Sequence, residues 1–317
     1  MNITGIEMKE KIDGLFMAIV AALISGVAIF LSKQYLSLGI QPEVLITLRG
    51  GIVVLIFTAF LFLTKKISTL KDLYPGQWIG LILIGIFGGF LSFLFFFRGL
   101  SMVGGLNGAF AHKLIFIFII PLAWIFLKEK TNWRIAVLGG LILVGNSILY
   151  GSLKIFSNFG QGDLLILLAV FLWACENVAS KHLLKSLSVE IVVWARMFFG
   201  LICMIMMLSY KGEMNLLLDL SLIQTIKLGI LSIILFLFLS SWYGAIKRIK
   251  ISSASIVLAL GFPVSKILSV LSGNEIFFPH YILGFFLVVI PFGFVIKGLF
   301  DGIYLIQIEE DSREYIY

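Results

Sequence analysis

EVLITLR, residues 43–49, recurs in the second half of the chain as EIVVWAR, residues 190–196. In each copy a glutamate opens an apolar run and an arginine closes it six residues later. In each copy a Ser-Lys pair precedes the run, at residues 32–33 and 180–181. Motifs that recur in the same order along a chain indicate an internal duplication.

Further matches follow the same order. Glu129 in LKEK corresponds to Glu275 in SGNE, and a Leu-Gly pair follows in each half, at residues 138–139 and 283–284. We therefore predict a first repeat, a linker with the sequence SLKIFSNFGQG, a second repeat and a tail, at residues 1–151, 152–162, 163–300 and 301–317.

The composition places these repeats in a membrane. Of the 317 residues, 60% are hydrophobic and 13% are charged, and the mean hydropathy is +1.10. Soluble domains carry roughly 25% charged residues, and a membrane helix needs about 20 mostly apolar residues. The sequence predicts an all-α integral membrane protein with ten spans: 14–36, 43–64, 77–98, 103–127, 133–151, 163–184, 189–210, 223–246, 252–273 and 280–299.

The basic residues predict the orientation of the spans. Five helices per repeat is an odd number, so the second repeat must be inverted relative to the first. With a cytoplasmic N-terminus, fifteen basic residues fall in the inside segments and five outside: Lys33, Arg98, Lys154, Lys211 and Lys227. Cytoplasmic segments are enriched in Lys and Arg. We predict a multi-pass protein of the cytoplasmic membrane with both termini inside.

Several function classes are disfavoured. The net charge of +7 is spread between apolar runs, so no nucleic-acid partner is predicted. His112, His182 and His280 are dispersed, and Cys175 and Cys203 lie far from metal-ligand spacing. We predict that the protein has no metal site and no cofactor and that it is not an enzyme. Inverted repeats are typical of transporters whose substrate binds near the midplane. A channel or a membrane-embedded enzyme is the alternative from another class.

Four basic residues fall inside the spans: Arg49, Lys113, Arg196 and Lys266. A Lys or Arg at the centre of a membrane helix costs about 2.5–3.5 kcal/mol on insertion scales, so it usually faces a cavity or a partner. Lys113 and Lys266 lie at similar depth on equivalent helices, which predicts that they bind a carboxylate or phosphate. Snorkelling or a structural ion pair is the alternative for both.

Other side chains could complete a substrate site. His112 points about 100° away from Lys113, and it contacts either the substrate or a neighbouring helix. Trp173 is predicted to pack against the substrate, and Ser265 and Ser269 form a polar strip beside Lys266. Glu176 either takes up and releases protons and so couples them to transport, or it neutralises a buried lysine permanently.

The repeated arginines and two prolines suggest moving parts. Arg49 and Arg196 are expected near opposite membrane faces, as gate residues paired with Glu43 and Glu190 or as interfacial anchors. Pro263 and Pro121 are candidate hinges in helices nine and four, because proline removes a helical hydrogen bond.

The chain resembles the EamA-type members of the drug/metabolite transporter superfamily. The resemblance rests on the Ser-Lys, Glu and Arg pattern of each half, on Trp173-Ala174, on Pro263 followed by Asn274-Glu275, and on Leu127-Lys128-Glu129. Many such repeats have an acidic residue before the proline, where this chain has Gly261-Phe262.

The resemblance implies a ten-helix secondary carrier that works by alternating access. We predict that it exports or exchanges a small polar metabolite with a carboxylate or phosphate, with protons as a possible coupling ion. A multidrug or cationic-compound exporter of the same fold is the alternative. Its partners are then the substrate and the lipid bilayer, and no oligomeric state is predicted.

Overall fold

The computed structural model describes residues 3–103, 105–129, 133–150, 160–294 and 296–297. Throughout these residues the regular secondary structure is helical. Residues 152–159 of the predicted linker and the predicted tail, 301–317, lie outside the described residues, so both stay predictions.

The helices follow the predicted apolar runs. The first half contains α1 (Ile3–Leu36), α2 (Pro42–Leu63), α3 (Pro75–Ile84), α4 (Ser92–Met102), α5 (Gly105–Lys113), α6 (Ile115–Leu127) and α7 (Trp133–Tyr150). The second half contains α8 (Gln161–Leu183), α9 (Val189–Lys211), α10 (Leu222–Arg248), α11 (Ile251–Leu258), α12 (Gly261–Leu271) and α13 (Tyr281–Phe294).

Within the described residues, eight apolar segments are long enough to cross a membrane. Three of them join consecutive helices: α3 continues through a π-helical segment, Gly85–Leu91, into α4, α5 is followed by α6, and α11 is followed by α12. The predicted runs 133–151 and 280–299 correspond to the shorter apolar helices Val137–Tyr150 and Tyr281–Phe294. Helices suit this setting because they satisfy their own backbone hydrogen bonds where lipid offers none.

Helices four and nine of the sequence prediction are both interrupted. The second interruption, between α11 and α12, lies at Ala259-Leu260. Pro263 lies just after it, and its ring crowds the carbonyl four residues earlier, that of Ala259. The first interruption lies at Leu114, seven residues before Pro121, and α6 continues through that proline. The break in helix four is therefore at Leu114, not at the expected hinge, Pro121.

Two lysines make equivalent contacts in the two halves. Lys33 Nζ donates to the carbonyls of Leu100, at 2.9 Å, and Val103, at 2.7 Å. Lys181 Nζ donates to the carbonyls of Ile246 and Ile249, the latter at 2.8 Å. Each lysine thus binds two carbonyls at the end of α4 or α10, where a cation complements the helix dipole.

The helices pack around a cavity. α1 packs along α10, α4 along α8, and α9 along both α2 and the π segment, while α5 contacts α1, α8 and α12. The walls of the cavity come from both halves, mainly from α1, α2, α4, α5, α8, α9 and α10.

Candidate functional site

The cavity is apolar on most sides. It leaves about 80 Å³ for the centres of water-sized molecules, and one water needs about 10–15 Å³ by this measure. It therefore holds several waters or part of a small organic molecule. Its aromatic walls are Phe93, Phe96, Phe97, Trp173, Phe238, Trp242 and Tyr243.

Arg49, on α2, lines this cavity without a counter-ion among the described residues. Its residue is only 4% exposed. Its Cζ lies 4.7 Å from the Phe97 ring centroid and 5.3 Å from that of Phe93. Among the described residues its Nε has no hydrogen-bond partner, and no carboxylate lies within ion-pair distance of the guanidinium. Cation–π contacts are worth about 0.5–2 kcal/mol, less than the cost of burying an unpaired charge.

Arg196, on α9, is the second guanidinium of the cavity, and it has a counter-ion. Its Nε lies 3.4 Å from Glu176 Oε2. The other carboxylate oxygen, Oε1, accepts hydrogen bonds from Ser180 at 2.6 Å and from Tyr243 at 2.5 Å. Glu176 therefore neutralises an arginine, whereas the sequence suggested a lysine.

Gly88, in the π segment, joins this pair to the aromatic wall. Its carbonyl accepts from Arg196 Nη2 at 2.9 Å and from Trp173 Nε1 at 3.1 Å. π-helical geometry changes the usual backbone pairing and often occurs at functional sites. A Cβ atom on residue 88 would overlap the Glu176 side chain, so glycine is required by the close approach of α8.

The two arginines lie close together, not near opposite faces as expected. Both guanidiniums lie against the same ring, Phe93, at 5.3 Å for Arg49 and 5.1 Å for Arg196. The reason is that α2 and α9 pack against each other, which a depth estimate along single helices does not show.

The expected glutamate partners also differ. Arg98 Nε donates to Glu43 Oε1 at 2.7 Å, and Lys66 Nζ lies 3.0 Å from Glu190 Oε2. Lys66 is 40% exposed on its side chain, so the second pair is a surface pair. Neither glutamate pairs with Arg49 or Arg196.

His112 and Lys113 face different surroundings. His112 lines the cavity, with its ring 5.3 Å from Trp173 and 5.7 Å from Phe96, both in T-shaped arrangements. Its Nδ1 has no hydrogen-bond partner among the described residues. Lys113 is fully buried, and its Nζ donates to Ser25 on α1 at 2.5 Å. The 100° offset between adjacent helical residues explains the division.

Gly261 gives the Lys113 side chain its space. A Cβ atom there would lie 2.7 Å from Lys113 Nζ and from the Ala22 carbonyl. The interruptions of α5/α6 and α11/α12 thus lie next to each other, against α1.

The structure places Lys266 away from the cavity lining. Its Nζ lies 2.5 Å from Glu275 Oε2 and 4.2 Å from the Tyr281 ring centroid. Ser265 donates to the Gly26 carbonyl at 2.7 Å, and Ser269 is half-buried outside the lining. Lys113 and Lys266 therefore do not share a site at the cavity. Lys266 forms a structural ion pair, which is one of the alternatives to anion binding that the sequence left open.

The sequence analysis missed several residues of the site. Asn177 donates to the Trp173 carbonyl at 2.7 Å and accepts from Trp242 Nε1 at 2.6 Å. Tyr243 donates a hydrogen bond to Glu176, and the Gly88 carbonyl accepts hydrogen bonds from both Arg196 and Trp173. An available signal was the polar sequence SSWYG, residues 240–244, inside an apolar helix.

The described residues contain no group of three or more His, Cys, Asp or Glu side chains that could hold a metal ion. An all-helical membrane protein with a charged, aromatic cavity between two similar halves has the architecture of a membrane carrier.

The EamA-like transporter family model matches residues 12–151 and again residues 160–297, so the chain belongs to that family. The predicted resemblance is confirmed. The protein is a membrane transporter of the drug/metabolite transporter superfamily, which is a superfamily of transporters rather than enzymes.

Solved structures show the same fold. Twenty-two solved chains match this one. One of them, described only as "Crystal structure of protein", has a TM-score of 0.67 and 18% sequence identity, over 89% of this chain and 94% of its own. No curated protein matches the sequence.

Proposed function

We propose that the protein is a secondary carrier that moves a small anion, with a carboxylate or a phosphate, across the cytoplasmic membrane as an exporter or exchanger. The observation that supports this most is Arg49, a buried cation that lines the cavity without a counter-ion among the described residues. A guanidinium binds a carboxylate or phosphate through two parallel hydrogen bonds. Such an anion supplies the charge that the cavity lacks.

A cationic substrate has less support. Glu176 contacts two residues of the cavity lining, Tyr243 and Arg196, and together with Ser180 they already surround it. A cationic drug would therefore compete with an existing ion pair while it lies near a free guanidinium.

The transport cycle we propose is alternating access in ten helices, arranged as two inverted repeats at 1–151 and 163–300. Two successive family matches and the matching contacts of Lys33 and Lys181 support the duplication. The distribution of basic residues supports the inversion, with both termini cytoplasmic. We propose the interruptions at Leu114 and Ala259-Leu260 as the hinges. Broken helices of this kind commonly form the substrate site at the interface between the repeats.

Coupling is assigned to Glu176. When this carboxylate takes up a proton, Arg196 loses its counter-ion and becomes a second anion-binding group. Proton and anion binding then favour each other. In this proposal Trp173 and His112 contact the body of the substrate, and Lys113 stays bound to Ser25 behind the cavity surface.

Uptake into proteoliposomes tests the proposal. The probes are radiolabelled 3-phenylpropanoate, phenyl phosphate and phenylethylamine, and the variants are Arg49→Gln and, as control, the exposed Lys227→Gln. We expect uptake of at least one anion but not of the amine. We expect Arg49→Gln to reduce anion uptake at least about tenfold, because the loss of a hydrogen bond to a charged group costs at least about 1.5 kcal/mol. We expect Lys227→Gln to leave the uptake unchanged. Undiminished anion uptake by folded Arg49→Gln, or uptake of the amine alone, contradicts the proposal.

A further inference from the structure

The charges and walls of the cavity define the substrate more narrowly than the word anion. We infer that the cavity selects a monocarboxylate with an aromatic or similarly bulky apolar body and without a cationic group. This inference rests on the proposed function and names the substrate class of the same site.

The first argument is the charge balance at the cavity surface. Arg49 has no counter-ion among the described residues, whereas Arg196 is offset by Glu176. The Lys113 ammonium does not reach the cavity, because Ser25 and Gly261 cover it. One guanidinium is thus available for direct contact, and one negative charge balances it. A phosphate monoester carries about 1.5–2 negative charges near pH 7, and its excess charge would find no second unpaired guanidinium among the described lining residues.

The second argument is that a substrate ammonium would find no counter-ion among the described residues of the cavity lining. No aspartate or glutamate is among the described residues that line the cavity. The Asn177 carbonyl oxygen already accepts from Trp242, and Glu176 Oε1 already accepts two hydrogen bonds. A zwitterion would therefore bury its ammonium without a counter-ion, in the same cavity as Arg49. Buried unpaired charges are strongly unfavourable.

The third argument is the shape of the apolar surface. Phe93, Phe96 and Phe97 follow one face of α4, and the Trp173 ring lies 5.2 Å from Phe96 and 5.3 Å from Phe93. Aromatic rings attract other rings in offset or edge-to-face arrangements. A substrate with a bulky apolar body fills this space, whereas a small anion such as acetate leaves most of the apolar wall in contact with water.

Five matched probes test the inference by ligand-induced thermal stabilisation of the purified full-length protein. They are 3-phenylpropanoate, phenylalanine, phenylethylamine, phenyl phosphate and acetate. Phenylalanine adds an ammonium to the first probe, phenylethylamine lacks the carboxylate, phenyl phosphate replaces it with a dianion, and acetate lacks the ring. We expect 3-phenylpropanoate to bind at least about tenfold more tightly than each of the others, and Arg49→Gln to lose at least about tenfold of that affinity.

The possible results separate the substrate class from the proposed function. Equal or tighter binding of phenylalanine, phenyl phosphate or acetate that depends on Arg49 overturns the class and leaves the anion carrier standing. Tightest binding of phenylethylamine, unchanged in Arg49→Gln, overturns both. No stabilisation by 3-phenylpropanoate at its highest soluble concentration overturns the class. Because the wild-type protein alone ranks the five probes, this ranking does not depend on the folding of a variant.

Discussion

Arg49 and Arg196 occupy equivalent positions in the two repeats, yet their surroundings differ. Both are buried against Phe93, but among the described residues only Arg196 has a carboxylate beside it. Glu176 comes from α8, the first helix of the second repeat, and the equivalent helix of the first repeat, α1, offers Ser25 and Ser32 at the cavity. A single carboxylate therefore pairs with one guanidinium and leaves the other without a counter-ion among the described residues.

Removal of that carboxylate tests the division of roles. We expect Glu176→Gln to lower the free energy of unfolding by about 3 kcal/mol, because the change leaves a buried Arg196 unpaired. We expect 3-phenylpropanoate to restore more stability to this variant than it adds to the wild type, since Arg196 is then free to bind it. Thermal unfolding with and without the probe measures both effects.

Glu190→Gln is the matched control for this prediction. It removes the same charge from a pair with the exposed Lys66, and exposed pairs contribute about 0–1 kcal/mol. If the two variants lose equal stability, or if the probe restores nothing to Glu176→Gln, the buried pair does not have the assigned role.

Irregular backbone carries much of the site. The π segment presents the Gly88 carbonyl to Arg196 and Trp173, and the interruption at Leu114 follows directly after His112 and Lys113. In a membrane, irregular backbone is tolerated where protein buries it or where it lines a cavity. These breaks are therefore expected at a binding site and would be costly on a lipid-facing surface.

Regular helices are instead joined by the two equivalent lysines. Lys33 and Lys181 each donate to two carbonyls at a helix end. The residues that directly follow α4 and α10, Val103 and Ile249, both have extended backbone. We expect Lys33→Met and Lys181→Met each to lower the free energy of unfolding by about 1–3 kcal/mol, and by similar amounts, because each leaves two carbonyls without a charged donor. Thermal unfolding of both variants measures this.

Lys227→Met is the control for the lysine variants. It removes the same charge from an exposed position on α10 and should stay within about 0.5 kcal/mol of the wild type. A large loss for one lysine and none for the other would mean that the two contacts are not equivalent.

For the molecule as a whole, the sequence predicted the features that depend only on the order and length of segments along the chain. The duplicated motif and the apolar runs depend on order and length alone, and the family match confirms the assignment that they supported. The aromatic lining at Trp173 was also within reach, because an indole beside a carboxylate in an apolar helix is unusual. These features need no knowledge of which helices touch.

The contacts between helices were not predictable in the same way. That Arg49 and Arg196 converge depends on the packing of α2 along α9, and that His112 rather than Lys113 lines the cavity depends on the rotation of α5. Lys266 finds its partner nine residues away, at Glu275, beyond the end of α12. A single sequence records neither helix rotation nor helix pairing, so the identity of the cavity cation could not be read from it.

The inversion of the repeats predicts opposite sides for equivalent loops. Ser68 follows α2, Asp219 follows α9, and both are exposed. In a chain with Cys175→Ala and Cys203→Ala, a membrane-impermeant thiol reagent should label Asp219→Cys in intact cells, but Ser68→Cys only after permeabilisation. The reason is that Lys65, Lys66 and Lys71 keep the first loop cytoplasmic, whereas an odd number of helices carries the second to the other side. Labelling of both from the same side would mean that the repeats are parallel and would contradict the proposed inversion.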